Sequence, residues 1–128
     1  METGRNAAEI NELQRAVDLA REISGLCFAI YLGALPAGRE SAVAAHARLA
    51  DPLLSVLVAL DPQARTIEIV TGKAAAHLLD DRSCEFAILA MRSCLMADDL
   101  VGGVREAIML LAGQARSPKV LHTEVFEG

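Results

Sequence analysis

Residues 53–71, LLSVLVALDPQARTIEIVT, decide the fold. LLSVLVAL (53–60) is a nearly unbroken apolar run and reads as a strand buried on both faces. DPQAR (61–65) is a turn, with Pro62 pre-setting its backbone angle. TIEIVT (66–71) is a second strand in which Ile67 and Ile69 alternate with Thr66 and Glu68, so one face is wetter. A turn of five residues joins the two strands as an antiparallel hairpin.

Upstream, LCFAIYL (26–32) lies between Gly25 and Gly33 and reads as another strand buried on both faces, with Cys27 in the sheet centre. The loop GALPAG and an Ala-rich helix over about 39–50, stopped before Pro52, connect it to the hairpin. Strand, helix, strand predicts a right-handed parallel crossover. The sheet is therefore mixed and covered by helices.

NAAEINELQRAVDLAREIS (6–24) is the clearest helix. Ile10, Leu13, Val17, Ala20 and Ile23 form its apolar stripe. Asn6 with Glu9 has capping-box spacing, and Gly25 is a natural stop. After the hairpin, GKAAAHLLD has room for one helical turn. Two longer helices follow, over about 82–95 and 99–115. Cys84, Ala87, Ile88, Met91 and Leu95 mark the inner stripe of the first, and Leu100, Val104, Ala107, Ile108 and Leu111 that of the second. KVLHTEVF, after Ser117-Pro118, is an edge strand or a tail. The expectation is a single α/β domain spanning 1–128.

The totals fit that reading. The chain has 128 residues, 53% of them hydrophobic and 23% charged, enough for a full core without disulfides. Aromatics are 3% and Trp is absent, so the core is aliphatic. A net charge of −5 with so few aromatics excludes the basic footprint and stacking platform of a nucleic-acid binder. The longest uncharged run, 23–38, is broken by Gly25, Gly33, Pro36 and Gly38 and is no membrane span. No apolar signal core opens the chain. Three cysteines without CxxC spacing read as reduced thiols, which points to the cytoplasm.

Nucleotide-binding, metalloprotease and serine-hydrolase motifs are absent. Gly102-Gly103 lies within a helical pattern and suits close helix packing. His46, His77 and His122 stand alone, and no serine carries the signature of an activated nucleophile. Two doubled acids remain, Asp80-Asp81 and Asp98-Asp99, each just before a helix. A carboxylate there caps free backbone N–H groups and suits the helix dipole. One acid of each pair is thereby explained. The surplus acids are candidates for a hard cation such as Ca²⁺ or Mg²⁺, which needs several carboxylate oxygens together. If 82–95 is one unbroken helix, the pairs lie at opposite ends of it, with Asp98-Asp99 nearer Asp61. A break near Arg92-Ser93 would undo that separation.

SVLVALDPQARTIEIVTG, LLDD and LMADDLVGGV together resemble the TPM domain family. They resemble more closely a family of small actinobacterial TPM-like proteins of unknown function, in which FSVYLG, VDP, VEIVTG and GDLVGG recur. The counterparts are Phe28 to Gly33, Leu60-Asp61-Pro62, Ile67 to Gly72, and Asp98 to Gly103. The similarity spans about residues 7–116. It implies a three-layer α/β/α sandwich with a small mixed sheet. It also implies divalent-cation binding, an acid phosphatase activity in some members, and an accessory role in membrane complexes in others. By position, the family's two acids fall on Asp81 and Asp99. The family's glutamate after the third strand is lost in Ala74-Ala75-Ala76, its Tyr is Leu100, and its Gly before the second acid is Asp98.

Two functions follow. The first is a non-catalytic binding or regulatory module with a protein partner. A homodimer is a candidate assembly, because a mean hydropathy of +0.35 is high for a soluble monomer. The alternative is a divalent-metal-dependent phosphatase using Asp81 or Asp99, their neighbours Asp80 and Asp98, and Asp61. Arg65 and Lys73 are the nearest cations to meet a phosphate.

Overall fold

The computed structural model of the protein describes residues 7–116. Its elements are α1 (Ala7–Ser24), β1 (Cys27–Leu32), α2 (Arg39–Ala47), β2 (Ser55–Asp61), β3 (Thr66–Thr71), α3 (Asp81–Met96) and α4 (Leu100–Arg116), with 3-10 turns at Pro52–Leu54 and Ala75–His77. The sheet order is β1-β2-β3. β1 and β2 are parallel, from Cys27 opposite Ser55 to Leu32 opposite Leu60. β2 and β3 form the antiparallel hairpin, with Asp61 opposite Thr66. The expected Asn6 cap and the segment 117–128 lie outside the described residues.

Alternation along β2 builds two cores. Val56, Val58 and Leu60 point to one face, where they meet Phe28, Ile67 and Ile69 and the inner stripes of α1, α3 and α4. Leu57 and Ala59 point to the other, where with Val70 they meet Leu35 and Ala42 under α2. Every residue of β2 is buried. The result is a three-layer α/β/α sandwich, with α1, α3 and α4 on one side of the sheet and α2 on the other.

Three expectations need correction. Among the described residues β1 is an edge strand, and Cys27 is half-buried at its start, not buried in the sheet centre. Its one strand neighbour among the described residues is β2, and Tyr31 is exposed. β2 begins at Ser55: Pro52 turns the chain through a 3-10 bend that leaves Leu53 and Leu54 outside the core. Ile10 faces solvent, since α1 buries Leu13, Ala16 and Ala20 instead.

Gly25 ends α1 with φ 80° and donates its N–H to the Arg21 carbonyl at 2.8 Å, as a helix-terminating glycine does. α4 packs against both α1 and α3. Its approach to α3 depends on Gly103, where a Cβ would stand 3.0 Å from the Cys94 Cβ and 3.3 Å from the Met91 carbonyl oxygen. On the outer edge of the sheet, Arg39 reaches across to Glu68 at 3.0 Å and donates to the Ile69 carbonyl. That covers one open backbone group of an edge strand.

Candidate functional site

The end of β2 and the start of β3 face the link between α3 and α4, and a cleft of ≈ 960 Å³ opens between them. Its floor is apolar, made of buried Leu60, Ile67 and Val101. Pro62 and Arg65 come from the hairpin turn, Arg92, Leu95 and Met96 from the end of α3, and Glu9 from the start of α1. Leu100 and the acids Asp61, Asp98 and Asp99 complete the lining.

Asp61 is buried and works as a tie. Its Oδ2 accepts the Leu35 N–H at 2.9 Å and its Oδ1 accepts the Ala64 N–H at 3.2 Å. One carboxylate thus fastens the β1–α2 loop to the hairpin turn. The Leu35 bond, then the Ala64 bond, hold its pKa below the ordinary aspartate value; burial opposes them without prevailing.

Asp98 and Asp99 divide two tasks. α3 closes with the Asp99 N–H on the Cys94 carbonyl at 2.8 Å and the Asp98 N–H on that of Leu95 at 2.9 Å. This closure puts Asp98 in the left-handed region at φ 62°. Asp99 then caps α4, its Oδ1 accepting the Gly102 N–H at 3.0 Å. A Cβ on residue 102 would fall on the Asp99 Oδ2, so the cap and the glycine come as a pair. Arg65, in the hairpin turn, has φ 58°. Asp98 and Arg65 are the non-glycine residues with positive φ among those described, and both line this cleft.

The other acid pair is elsewhere. Asp80 caps α3, its Oδ1 accepting the Ser83 N–H at 2.9 Å, and Asp81 is the first helical residue. α3 is unbroken over 16 residues, about 24 Å at 1.5 Å per residue, with no interruption at Arg92-Ser93. Asp80 and Asp81 are therefore at one end of the sandwich and Asp98 and Asp99 at the other. Lys73 follows Gly72 at the Asp80 end, because Gly72 bonds the start of β2 at Ser55. Among the described residues, no group of three or more His, Cys, Asp or Glu is placed to hold a metal ion.

The described histidines and cysteines lie outside this cleft lining. The ring Nε2 of buried His46 lies 3.0 Å from the Ser55 carbonyl oxygen. Cys27, Cys84 and Cys94 are free thiols. Burial, then the nearby charges of Asp81 and Asp80, push the Cys84 thiol up from its ordinary value. Sequence reasoning missed Arg92 and Met96. Nothing local marks them, and they reach the cleft only because the α3–α4 link returns to the Asp61 turn.

Residues 4–112 match the model of a family described as "Domain of unknown function (DUF5130)". The NMR structure of the BA42 protein from the psychrophilic bacterium Bizionia argentinensis sp. nov. is similar, with a TM-score of 0.79 over 91% of this chain and 84% of that one. At 16% identity the likeness is one of fold. No functionally curated protein matches in sequence. Among the described residues, no helix is long and apolar enough to cross a membrane. With the family model covering most of its length, this chain belongs to the DUF5130 family.

Proposed function

We propose that this chain is a TPM-like, non-catalytic binding or regulatory module of the cytoplasm, and that the cleft between the hairpin turn and the α3–α4 link is its ligand surface. The observation that carries this reading is the employment of the carboxylates. Asp61 accepts a backbone N–H on each oxygen, and Asp99 caps α4. Acids engaged this way hold loops in place and are poorly free to bind a cation or relay a proton. The cleft around them has an apolar floor and a rim carrying both exposed arginines, Arg65 and Arg92, and the acids Glu9 and Asp98, a lining suited to an apolar side chain flanked by polar groups on a partner protein.

A second reading, a phosphatase that uses Ca²⁺ or Mg²⁺ on Asp99, draws on the shared lining of the cleft by Asp61, Asp98, Asp99, Arg65 and Arg92. The same logic on Asp81 lacks that company, since Asp80-Asp81 lie at the far end of α3. Melting with and without Ca²⁺, Mg²⁺ or Mn²⁺, beside an aryl phosphate hydrolysis assay, separates the two readings. A cation at 100 times its Kd adds about 2.7 kcal/mol to a native state that alone binds it, a shift of several degrees. The binding module predicts no shift at millimolar metal and no turnover. Metal-dependent turnover that disappears in Asp99→Asn would overturn it.

A further inference from the structure

The outer face of α3 carries large apolar side chains that no described element covers. Phe86 and Leu89 are each 58% exposed and Met96 is 87% exposed. At 100° per residue they share one stripe with Leu89 at its centre, and Glu85 and Arg92 lie together along one flank of it. Glu85 stands four residues before Leu89 and Arg92 three after it, so the two charges are nearly equidistant from the centre. Arg92 has no ion pair among the described residues.

We propose that this face is a homodimer interface in which α3 packs antiparallel on α3 of a second copy, about a two-fold axis passing beside Leu89. The operation reverses the helix direction and keeps each flank on its own side. Glu85 of one copy therefore meets Arg92 of the other, and the pair is formed twice. Leu89 meets its own counterpart, and Phe86 falls beside the partner's Ser93. An isologous contact demands a surface complementary to itself under that rotation, and this charge arrangement satisfies it. An apolar stripe with a flanking charge pair is also the pattern by which antiparallel helices select one register. The proposal does not rest on the cleft being a ligand surface, although Arg92 and Met96 also line that cleft.

Sedimentation velocity on the full chain over a concentration series tests it. The expected result is a reversible species of twice the 13.6 kDa chain mass. Leu89→Asp is expected to weaken association at least tenfold while leaving the melting behaviour of the monomer intact, because Leu89 is exposed in the single chain. Glu85→Arg and Arg92→Glu are each expected to weaken the dimer, and the double exchange to restore it. A wild type that stays monomeric throughout would overturn the proposal, and so would a dimer indifferent to Leu89→Asp. Single exchanges without effect would overturn the antiparallel register. Flotation of a monomeric wild type with anionic phospholipid vesicles, abolished by Leu89→Asp, would give the face to a lipid surface instead.

Discussion

Neighbouring aspartates in this protein differ through backbone geometry rather than chemistry. Asp98 occupies a left-handed position in which an L side chain costs about 1–2 kcal/mol, eased for Asp by its short polar group. Asp98→Gly removes that strain, while the freer unfolded chain costs about 0.4–1 kcal/mol. We expect a net gain of about 0.5 kcal/mol in urea unfolding. A clear loss would show that the Asp98 carboxylate makes a stabilising contact of its own. Asp99 and Gly102 form a coupled pair. Asp99→Ala should cost about 1 kcal/mol, the usual value of a helix N-cap. Gly102→Ala in the wild type displaces the cap, which offsets the up to ~1 kcal/mol that alanine contributes over glycine in a helix. It should therefore be nearly neutral alone and stabilising in the Asp99→Ala background. Additive effects in this double-mutant cycle would refute the pairing.

At the scale of elements, the α3–α4 hairpin positions the cleft. Gly103 sets how closely the two helices approach, and its neighbours include the Met91 backbone carbonyl, which cannot swing aside. Gly103→Ala should destabilise by about 1–3 kcal/mol through overpacking. Gly113, on an exposed part of the same helix where a Cβ would meet nothing within 4 Å among the described residues, provides the control. Gly113→Ala should stabilise by up to ~1 kcal/mol. Opposite signs in a denaturant series identify packing, not helix propensity, as the role of Gly103. The end of α3 faces the hairpin turn, so Arg92 and Arg65 line one cleft.

For the whole molecule, Asp61 links the two topological halves, the parallel crossover and the antiparallel hairpin. Its pKa is lowered on folding. A group depressed in this way contributes stability above its unfolded pKa, about 3.9, and that contribution is lost as pH falls through the lower folded value. The melting temperature should therefore drop on acidification below about pH 4. Asp61→Asn should lower stability at pH 7 and flatten that acid limb. An unchanged limb would assign acid unfolding to other carboxylates.

The sequence by itself determined the elements and their connectivity. Apolar runs and a short turn predicted the hairpin, whose turn is the four residues 62–65 because Asp61 still pairs with Thr66; strand-helix-strand predicted the parallel pairing, and helical spacing with an acid at each start located α3 and α4. These are local properties, and a buried strand or a helix cap leaves its mark within a few residues. The edge position of β1 among the described strands, the exposure of Ile10 and the start of β2 after the Pro52 bend were not legible, because they depend on how distant parts of the chain pack together. The same holds for the site. Its acids could be named from the sequence, but which oxygen caps which helix, and that Arg92 joins Arg65, was decided only when α3 ran unbroken for 16 residues. That length carried Asp98 and Asp99 to the Asp61 end of the sheet and left Asp80 and Asp81 at the other.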